Sequence, residues 1–119
     1  QILSERLWFI HKQLGNAQIS DSVGRMFDRL FIELERLRVP LNSKAYTFDF
    51  GPTELINLVG LPKEEGNAHI RRLFENSKIR VVDNKIHVSE VGEIEKQSKY
   101  YRKMEKIEKS RRQSSLRHH

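Results

Sequence analysis

The sequence predicts a mainly helical domain with one small β-hairpin, and two observations predict it. Apolar residues recur at helical spacing in five segments, and two β-branched runs flank an Asp-Asn dipeptide late in the chain. The chain has 119 residues, which is the length of one domain. Its hydrophobic share of 37% suffices for one core, and no apolar run approaches the ~20 residues of a membrane-spanning helix.

The first predicted helix covers about residues 4–19. Its apolar positions repeat at spacings of 4, 3, 4 and 3, the a/d pattern that buries one stripe of a helix against a partner helix. They are Leu3, Leu7, Ile10, Leu14 and Ala17. Because only two and a half heptads are present, the pattern fits either a short coiled-coil seam or an amphipathic helix packed on its own domain.

A second helix and a short strand follow. Asp21 suits the N-cap of that helix, since its carboxylate can accept orphan backbone N–H groups of the first turn. Apolar residues then keep a 3.6-residue period from Val23 to Leu37, and Pro40 disfavours helical geometry in the residue before it. Residues 45–50 are rich in aromatic side chains and alternate loosely, which predicts a short strand.

Two short helices are predicted next, with a tight turn between them. Gly51 and Pro52 suit the N-cap and first position of the third helix, and Gly60 can close it in a left-handed conformation. Only two residues then precede a fourth helix, which begins at residue 62 or 63 and ends near residue 76. Its predicted buried side consists of Ile70, Leu73 and Phe74.

A hairpin and a polar helix complete the chain. Asp83 and Asn84 both tolerate positive φ, so the runs 79–82 and 85–88 predict a hairpin with a two-residue turn. The polar helix covers residues 90 to about 112 and has a ragged apolar stripe. We expect three parts: an N-terminal helix at 1–20, a central unit at 21–90 and a basic helical tail at 91–119. The final His118 and His119 resemble the remnant of an affinity tag.

The positive charge is confined to the tail. The formal net charge is +6, but residues 1–95 hold 13 Lys and Arg against 14 Asp and Glu, whereas residues 96–119 hold 9 against 2. Such a segment suits counterion release on DNA, and the alternative is a tail that only aids solubility. Its apolar face is thin for a membrane surface. Eight of the nine cations precede the last residues of the chain: Lys96, Lys99, Arg102, Lys103, Lys106, Lys109, Arg111 and Arg112.

The order helix, glycine turn, helix and tight hairpin predicts a winged helix-turn-helix. In this arrangement the first motif helix braces the second, whose N-terminal residues enter the major groove. The major groove distinguishes all four base pairs, so side chains there can read sequence. Double-stranded DNA is therefore the predicted partner.

Four segments together carry a resemblance to a known family. They are Leu14-Gly15-Asn16-Ala17 followed by residues 21–26, then Thr53–Gly60, and then Lys63-Glu64. In this order and spacing, roughly over residues 4–88, they resemble the cyclic-AMP-receptor/FNR (Crp/Fnr) family of bacterial transcription regulators. The resemblance implies a cytoplasmic homodimer that regulates transcription from a pseudo-palindromic operator, with RNA polymerase as a further partner.

The resemblance also implies that residues 1–20 are a long dimerisation helix that precedes the winged helix-turn-helix, and that a regulatory domain precedes both. The seam would consist of Leu3, Leu7, Ile10 and Leu14. An effector domain of the cyclic-nucleotide-binding kind would precede the chain, which itself would hold no cofactor. Cyclic-AMP-binding members place two adjacent hydroxyl residues late in the dimer helix, where this chain has Ile10 and His11. This departure argues against inherited cyclic-AMP recognition.

Four residues of the fourth helix are the predicted base readers. Lys63 and Glu64 match family positions that contact base edges; Lys can donate to guanine, and Glu can accept from cytosine N4. Asn67 could bond adenine, whereas Ala68 replaces a frequent guanine-reading Arg and can only touch a thymine methyl. For Lys63 and Glu64 the alternative is an ordinary first-turn residue.

Six further residues are candidate phosphate contacts. Thr53 lies where the family contacts phosphate from the first motif helix, and the others could donate from the fourth helix or the hairpin. The set is Thr53, His69, Arg71, Arg72, Arg80 and Lys85. The alternative for each charged member is a solvated surface charge. Segment 51–95 holds 6 basic and 8 acidic residues, which is an unusual balance for a DNA-binding unit.

An enzymatic function is not predicted. The chain has no cysteine, no Gly-rich phosphate loop and no HExxH motif, so we expect no catalytic residues and no metal site. The alternative to sequence-specific DNA binding is a winged helix that serves protein interaction. Ala68 and the acidic central segment favour that alternative, whereas Lys63, the hairpin and the basic tail oppose it.

Overall fold

The computed structural model describes the backbone of residues 2–117 and the side chains of residues 4–114. The side chain of Leu3 and the two terminal histidines lie outside that range. Five helices and a three-stranded antiparallel sheet make up the described part, so the mainly helical class is confirmed. The elements are α1 (Ile2–Ala17), α2 (Ser22–Arg36), β1 (Tyr46–Thr47), α3 (Pro52–Leu58), α4 (Lys63–Leu73), β2 (Ile79–Val82), β3 (Lys85–Val88) and α5 (Val91–Arg117).

The predicted caps of α2 and α3 are confirmed, whereas α1 ends at Ala17 and α4 at Leu73, each before its expected end near residues 19 and 76. The Asp21 carboxylate accepts a 3.0 Å hydrogen bond from the backbone N–H of Gly24. Gly51 is the N-cap of α3, and its backbone N–H donates to the Glu54 carboxylate at 2.6 Å. Gly60, with a φ of +73°, follows the end of α3. These contacts satisfy backbone groups that a helix end leaves without partners.

The strand predicted at residues 45–50 is shorter than expected. Only Tyr46 and Thr47 pair regularly with β3, although Phe48 and Phe50 each share a backbone hydrogen bond with Ile86. The predicted hairpin is confirmed, since β2 and β3 pair antiparallel around two turn residues with φ of 51° and 62°. The sheet order is β1-β3-β2, so the hairpin is anchored to the domain through its second strand.

Helix α2 is the centre of the fold, because α1, α3, α4 and α5 all contact it. Its buried stripe packs with residues from each of the other elements except α1. The fully buried apolar side chains include Met26, Leu30 and Leu34 of α2, Leu55 of α3, Leu73 of α4, Ile86 and Val88 of β3, and Val91 and Ile94 of α5. The apolar stripes predicted for α2 to α5 therefore converge on one core.

The first half of α5 belongs to this core. Val91, Ile94 and Ser98 are fully buried, and the ring of Tyr101 stacks on Phe27 of α2 with centroids 6.2 Å apart. Gly24 makes this stacking possible, since a Cβ there would lie 2.5 Å from the Tyr101 ring. The segment predicted as a basic tail thus begins as a packed helix. In the described range, no helix combines the length and apolar character that crossing a bilayer requires.

Candidate nucleic-acid interface

Helix α4 rests on the core by one side. Ile70 and Leu73 are buried, and Gly66 lies so close to α3 that an added Cβ would be 2.3 Å from Cγ2 of Ile56. The close approach at Gly66 is therefore to another helix of the chain. Because Gly66 has no side chain, the side chain of Ile56 packs directly on the backbone of α4 and brings α3 and α4 close together.

The four predicted base readers all lie on the exposed side of α4. Lys63, Glu64, Asn67 and Ala68 are exposed and occupy its first two turns. Helical spacing places Glu64, Ala68 and Arg71 on one stripe, because Ala68 lies one turn and Arg71 two turns after Glu64. A flat partner laid across this side of α4 would meet all of these side chains.

The Val59–Pro62 turn between α3 and α4 is held from α2. Nη2 of Arg25 donates to the backbone carbonyl oxygen of Val59, and the backbone N–H of Leu61 donates to the Ile56 carbonyl at 3.2 Å. The first bond fixes the end of α3 relative to the centre of the fold. Since α4 begins at Lys63, the same contacts set the position of its N-terminal turn.

The candidate phosphate contacts divide into available and engaged residues. Thr53, Arg71, Arg72 and Arg80 are exposed, and the three arginines make no ion pair with any described residue. Lys85 instead pairs with Asp49 at 3.1 Å across the sheet. Because this ion pair is exposed, breaking it so that Lys85 can contact a phosphate would cost little free energy.

His69 differs from the other candidates because it is turned partly inward. Its side chain is half-buried, and its Nδ1 is buried without a hydrogen-bond partner in the described part of the chain. A ring in this position offers less surface to a phosphate than the neighbouring arginines do. Among the phosphate candidates on α4, His69 is half-buried, whereas Arg71 and Arg72 are exposed.

The segment between α4 and β2 is tied to α5 through Glu93. This carboxylate accepts hydrogen bonds from Nδ2 of Asn76 at 2.8 Å and from Nε2 of Gln97 at 2.9 Å, and Nζ of Lys78 lies 3.8 Å away. Burial tends to raise the pKa of Glu93, but these hydrogen bonds and Lys78 outweigh it and lower the pKa. The hydrogen bond to Glu90 raises the pKa of Lys78. Both groups are therefore charged at neutral pH.

The predicted seam of α1 is an exposed apolar stripe. Leu7, Ile10 and Leu14 are 65%, 52% and 61% exposed, so α1 does not bury this stripe against its own domain. Helix α1 contacts α2 through other residues, notably the ring of Phe9, which lies 5.4 Å from the guanidinium carbon of Arg29. The hypothesis that α1 packs this stripe on its own domain is therefore wrong for these three residues. The hypothesis that the stripe forms a dimer seam stays a prediction.

Sequence reasoning missed a buried polar cluster around Asp28. This fully buried carboxylate accepts hydrogen bonds from Nδ2 of Asn16, Oγ of Ser98, and Nε and Nη2 of Arg102, at distances of 2.5 to 3.1 Å. It therefore links α1, α2 and α5. The sequence alone places Arg102 among the tail cations, but its charge is compensated inside the fold. The sequence offers one signal for this cluster: Asp28 lies directly beside the apolar stripe of α2.

The described residues contain no group of three or more His, Asp or Glu side chains placed to hold a metal ion. No protein-family model, no curated protein and no solved structure gives a significant match to the chain.

Proposed function

We propose that the chain is a winged helix-turn-helix DNA-binding domain of Crp/Fnr-like type that binds a pseudo-palindromic operator as a dimer. Helix α3 would be the supporting helix, α4 the recognition helix and the β2–β3 hairpin the wing. In this arrangement α4 lies in the major groove, and the wing contacts the backbone beside it. The proposal includes regulation of transcription in a bacterial cytoplasm, with RNA polymerase as a further partner.

One observation carries the proposal: α4 has a rigid base and a free polar face. Its buried side is held through Gly66 and Ile70, while its other side presents Lys63, Asn67 and Arg71 without ion pairs to described residues. A recognition helix needs both properties, because base readout requires donors held in a fixed position.

The exposed stripe of α1 supports the dimer. Leu7, Ile10 and Leu14 share one side of the helix, and burying them against a second copy would remove them from water. A two-fold dimer would place two recognition helices about 34 Å apart, one turn of duplex. In the proposed full protein, an effector domain ahead of α1 would change the spacing of the two α4 helices by moving α1.

The alternative function is a winged helix used for protein interaction. Val81 and Val82 of β2 are 44% and 36% exposed, which gives the hairpin an apolar patch at the position of the proposed wing. Together with the acidic balance of residues 51–95, this patch suits a protein surface better than a phosphate backbone. The two functions differ in what they predict for Lys63→Ala: the DNA-binding function predicts weaker binding to DNA, whereas the protein-interaction function predicts no change in it.

Selection of bound fragments from random-sequence duplex DNA at a fixed salt concentration tests the proposal. We expect enrichment of a two-fold symmetric motif. Lys63→Ala should weaken binding to that motif by about 1–3 kcal/mol, since Lys63 would no longer bond a base. Lys44→Ala is the matched control, because Lys44 is exposed, unpaired among the described residues and outside α4. If no motif is enriched and both variants bind DNA like the parent, the proposal fails.

A further inference from the structure

A basic cleft lies between the α1–α2 turn and α5. Its volume is about 410 Å³, and Gly15, Gln18 and Ile19 line the side formed by α1 and the turn. The α5 side carries four cations and one carboxylate: Arg102, Lys106, Lys109, Arg112 and Glu105. None of the residues of α4 or of the hairpin lines it, so this cleft is separate from the proposed DNA interface.

Arg102 is held in one position at the wall of the cleft. Its Nε and Nη2 donate to the two carboxylate oxygens of Asp28 at 2.5 and 2.9 Å, and Asp28 is fully buried. The third nitrogen, Nη1, has no hydrogen-bond partner among the described residues and lies against Gly15. A Cβ at residue 15 would be 2.9 Å from Nη1. A guanidinium fixed in this way loses little entropy when Nη1 binds an anion.

The remaining cations leave the cleft with an excess of positive charge. Lys106 and Lys109 are exposed and one helical turn apart, and neither forms an ion pair with a described residue. Arg112 donates to Glu105 at 3.2 Å. With Asp28 and Glu105 set against the four cations, two positive charges are uncompensated, those of Lys106 and Lys109.

The negative charge of Glu105 is already included in this balance. Its Oε1 accepts hydrogen bonds from the backbone N–H and the Oγ of Ser20 at 2.9 and 2.7 Å, and Arg112 contacts its other oxygen. The bonds from Ser20, with a smaller contribution from Arg112, lower the pKa of Glu105. The carboxylate is thus ionised at neutral pH, and its oxygens are occupied by Ser20 and Arg112.

We propose that this cleft binds a small oligophosphate. A ligand with several phosphoryl oxygens can contact Nη1 of Arg102 and both lysine ammonium groups together, which a single carboxylate cannot do. A cleft between two helices favours a compact ligand, because the phosphates of a duplex lie on a convex surface. The proposal stands independently of DNA binding by α4. Backbone phosphate of nucleic acid has the same chemistry, so the experiment compares the two sources.

Calorimetric titration of the whole chain with sodium tripolyphosphate tests the proposal. We expect saturable binding that weakens about tenfold or more in Lys106→Ala/Lys109→Ala, because two charge-assisted hydrogen bonds to the ligand are removed. Lys96→Ala/Lys103→Ala is the matched control. It removes the same charge from exposed positions of α5 that do not line the cleft, and it should keep the parent affinity within about twofold.

Gly15→Ala provides a test at constant charge. The added methyl group would displace Nη1 of Arg102, so tripolyphosphate binding should weaken while circular dichroism still reports a folded helical protein. Equally weakened binding in the two double-lysine variants would show general charge attraction and overturn the proposal. No binding of tripolyphosphate to the parent chain would overturn it too.

A parallel titration with random-sequence duplex DNA separates the two phosphate sources. If the cleft binds a small oligophosphate, Lys106→Ala/Lys109→Ala binds duplex DNA no more weakly than Lys96→Ala/Lys103→Ala at matched ionic strength. If DNA affinity depends mainly on Lys106 and Lys109 while tripolyphosphate does not bind, the cleft serves the phosphodiester backbone and the small-ligand proposal is wrong.

Discussion

Substitution of the buried carboxylate of Asp28 should destabilise the fold strongly. This carboxylate is fully buried on α2 and holds Asn16 of α1 together with Ser98 and Arg102 of α5. Arg102 lies 74 positions further along the chain, so this pair closes a long loop. Asp28→Asn preserves the size of the side chain but removes the charge to which two of the guanidinium nitrogens donate.

The expected cost follows from burial and from the number of partners. Removing one member of a buried ion pair costs about 3–5 kcal/mol, because the other charge is left uncompensated. The Arg102 side chain keeps 32% of its exposure and can recover some hydration, which reduces the penalty. The new amide can still accept from Ser98 but cannot serve all the former donors. We therefore expect Asp28→Asn to lower the free energy of unfolding by about 2–4 kcal/mol.

A double-mutant cycle in urea would measure this interaction. Asp28→Asn, Arg102→Met and the double variant are compared with the parent by circular dichroism, and we expect a coupling free energy of about 1–3 kcal/mol. Lys103→Met is the control for Arg102→Met, since Lys103 is exposed and has no ion pair with a described residue. Coupling within experimental error of zero would refute the inference that this pair joins α2 to α5.

Three further predictions concern α4, α1 and Glu93. Gly66→Ala should destabilise the fold by about 1–2 kcal/mol, because the added Cβ would clash with Ile56. Gly92→Ala is the control, since its Cβ would lie 4.0 Å from the nearest atom. Equal urea midpoints for the two variants would contradict the packing described for α4. Leu7→Lys should lower the sedimentation coefficient at high concentration if α1 forms a dimer seam, and two identical monomer profiles would remove the seam. Glu93 has a lowered pKa in the folded state, so the stabilisation that its charge provides is present at neutral pH and is lost as the pH falls through that lowered pKa. Glu93→Gln should therefore destabilise the chain at neutral pH, and this destabilisation should shrink as the pH falls through that pKa. A destabilisation that does not change with pH would argue against an ionised Glu93.

Local signals predict most of the helix and hairpin boundaries. Asp21, Gly60 and the Asp83-Asn84 turn act through the conformation of a few neighbouring residues, so their meaning is visible without the rest of the chain. The same holds for the exposed side of α4, which follows from helical spacing once Ile70 is assigned to the core. These features need no information about distant contacts.

The parts that sequence reasoning missed depend on contacts between distant residues. Lys85 is a free cation in the sequence and becomes a partner of Asp49 only when β3 lies beside β1. Likewise, the inward turn of His69 depends on how closely α4 approaches the core. Strand β1 is shorter than its aromatic composition predicts, because that composition indicates burial, whereas regular pairing depends on the path of the backbone around Phe48.

The position of α5 changes how its positive charge is to be tested. A deletion after Gln97 would remove Ser98, Tyr101 and Arg102 together, so weaker DNA binding could reflect disrupted packing on α2. Point substitutions avoid this problem, because the cations of α5 occupy different surroundings: Arg102 is compensated by Asp28, and Lys106 and Lys109 line the cleft. Lys96 and Lys103 are exposed outside the cleft. A contribution of α5 to counterion release should therefore reside in exposed cations outside the cleft, among them Lys96 and Lys103, and removing these two should flatten the salt dependence of DNA binding by about one unit of slope for each phosphate that is no longer neutralised.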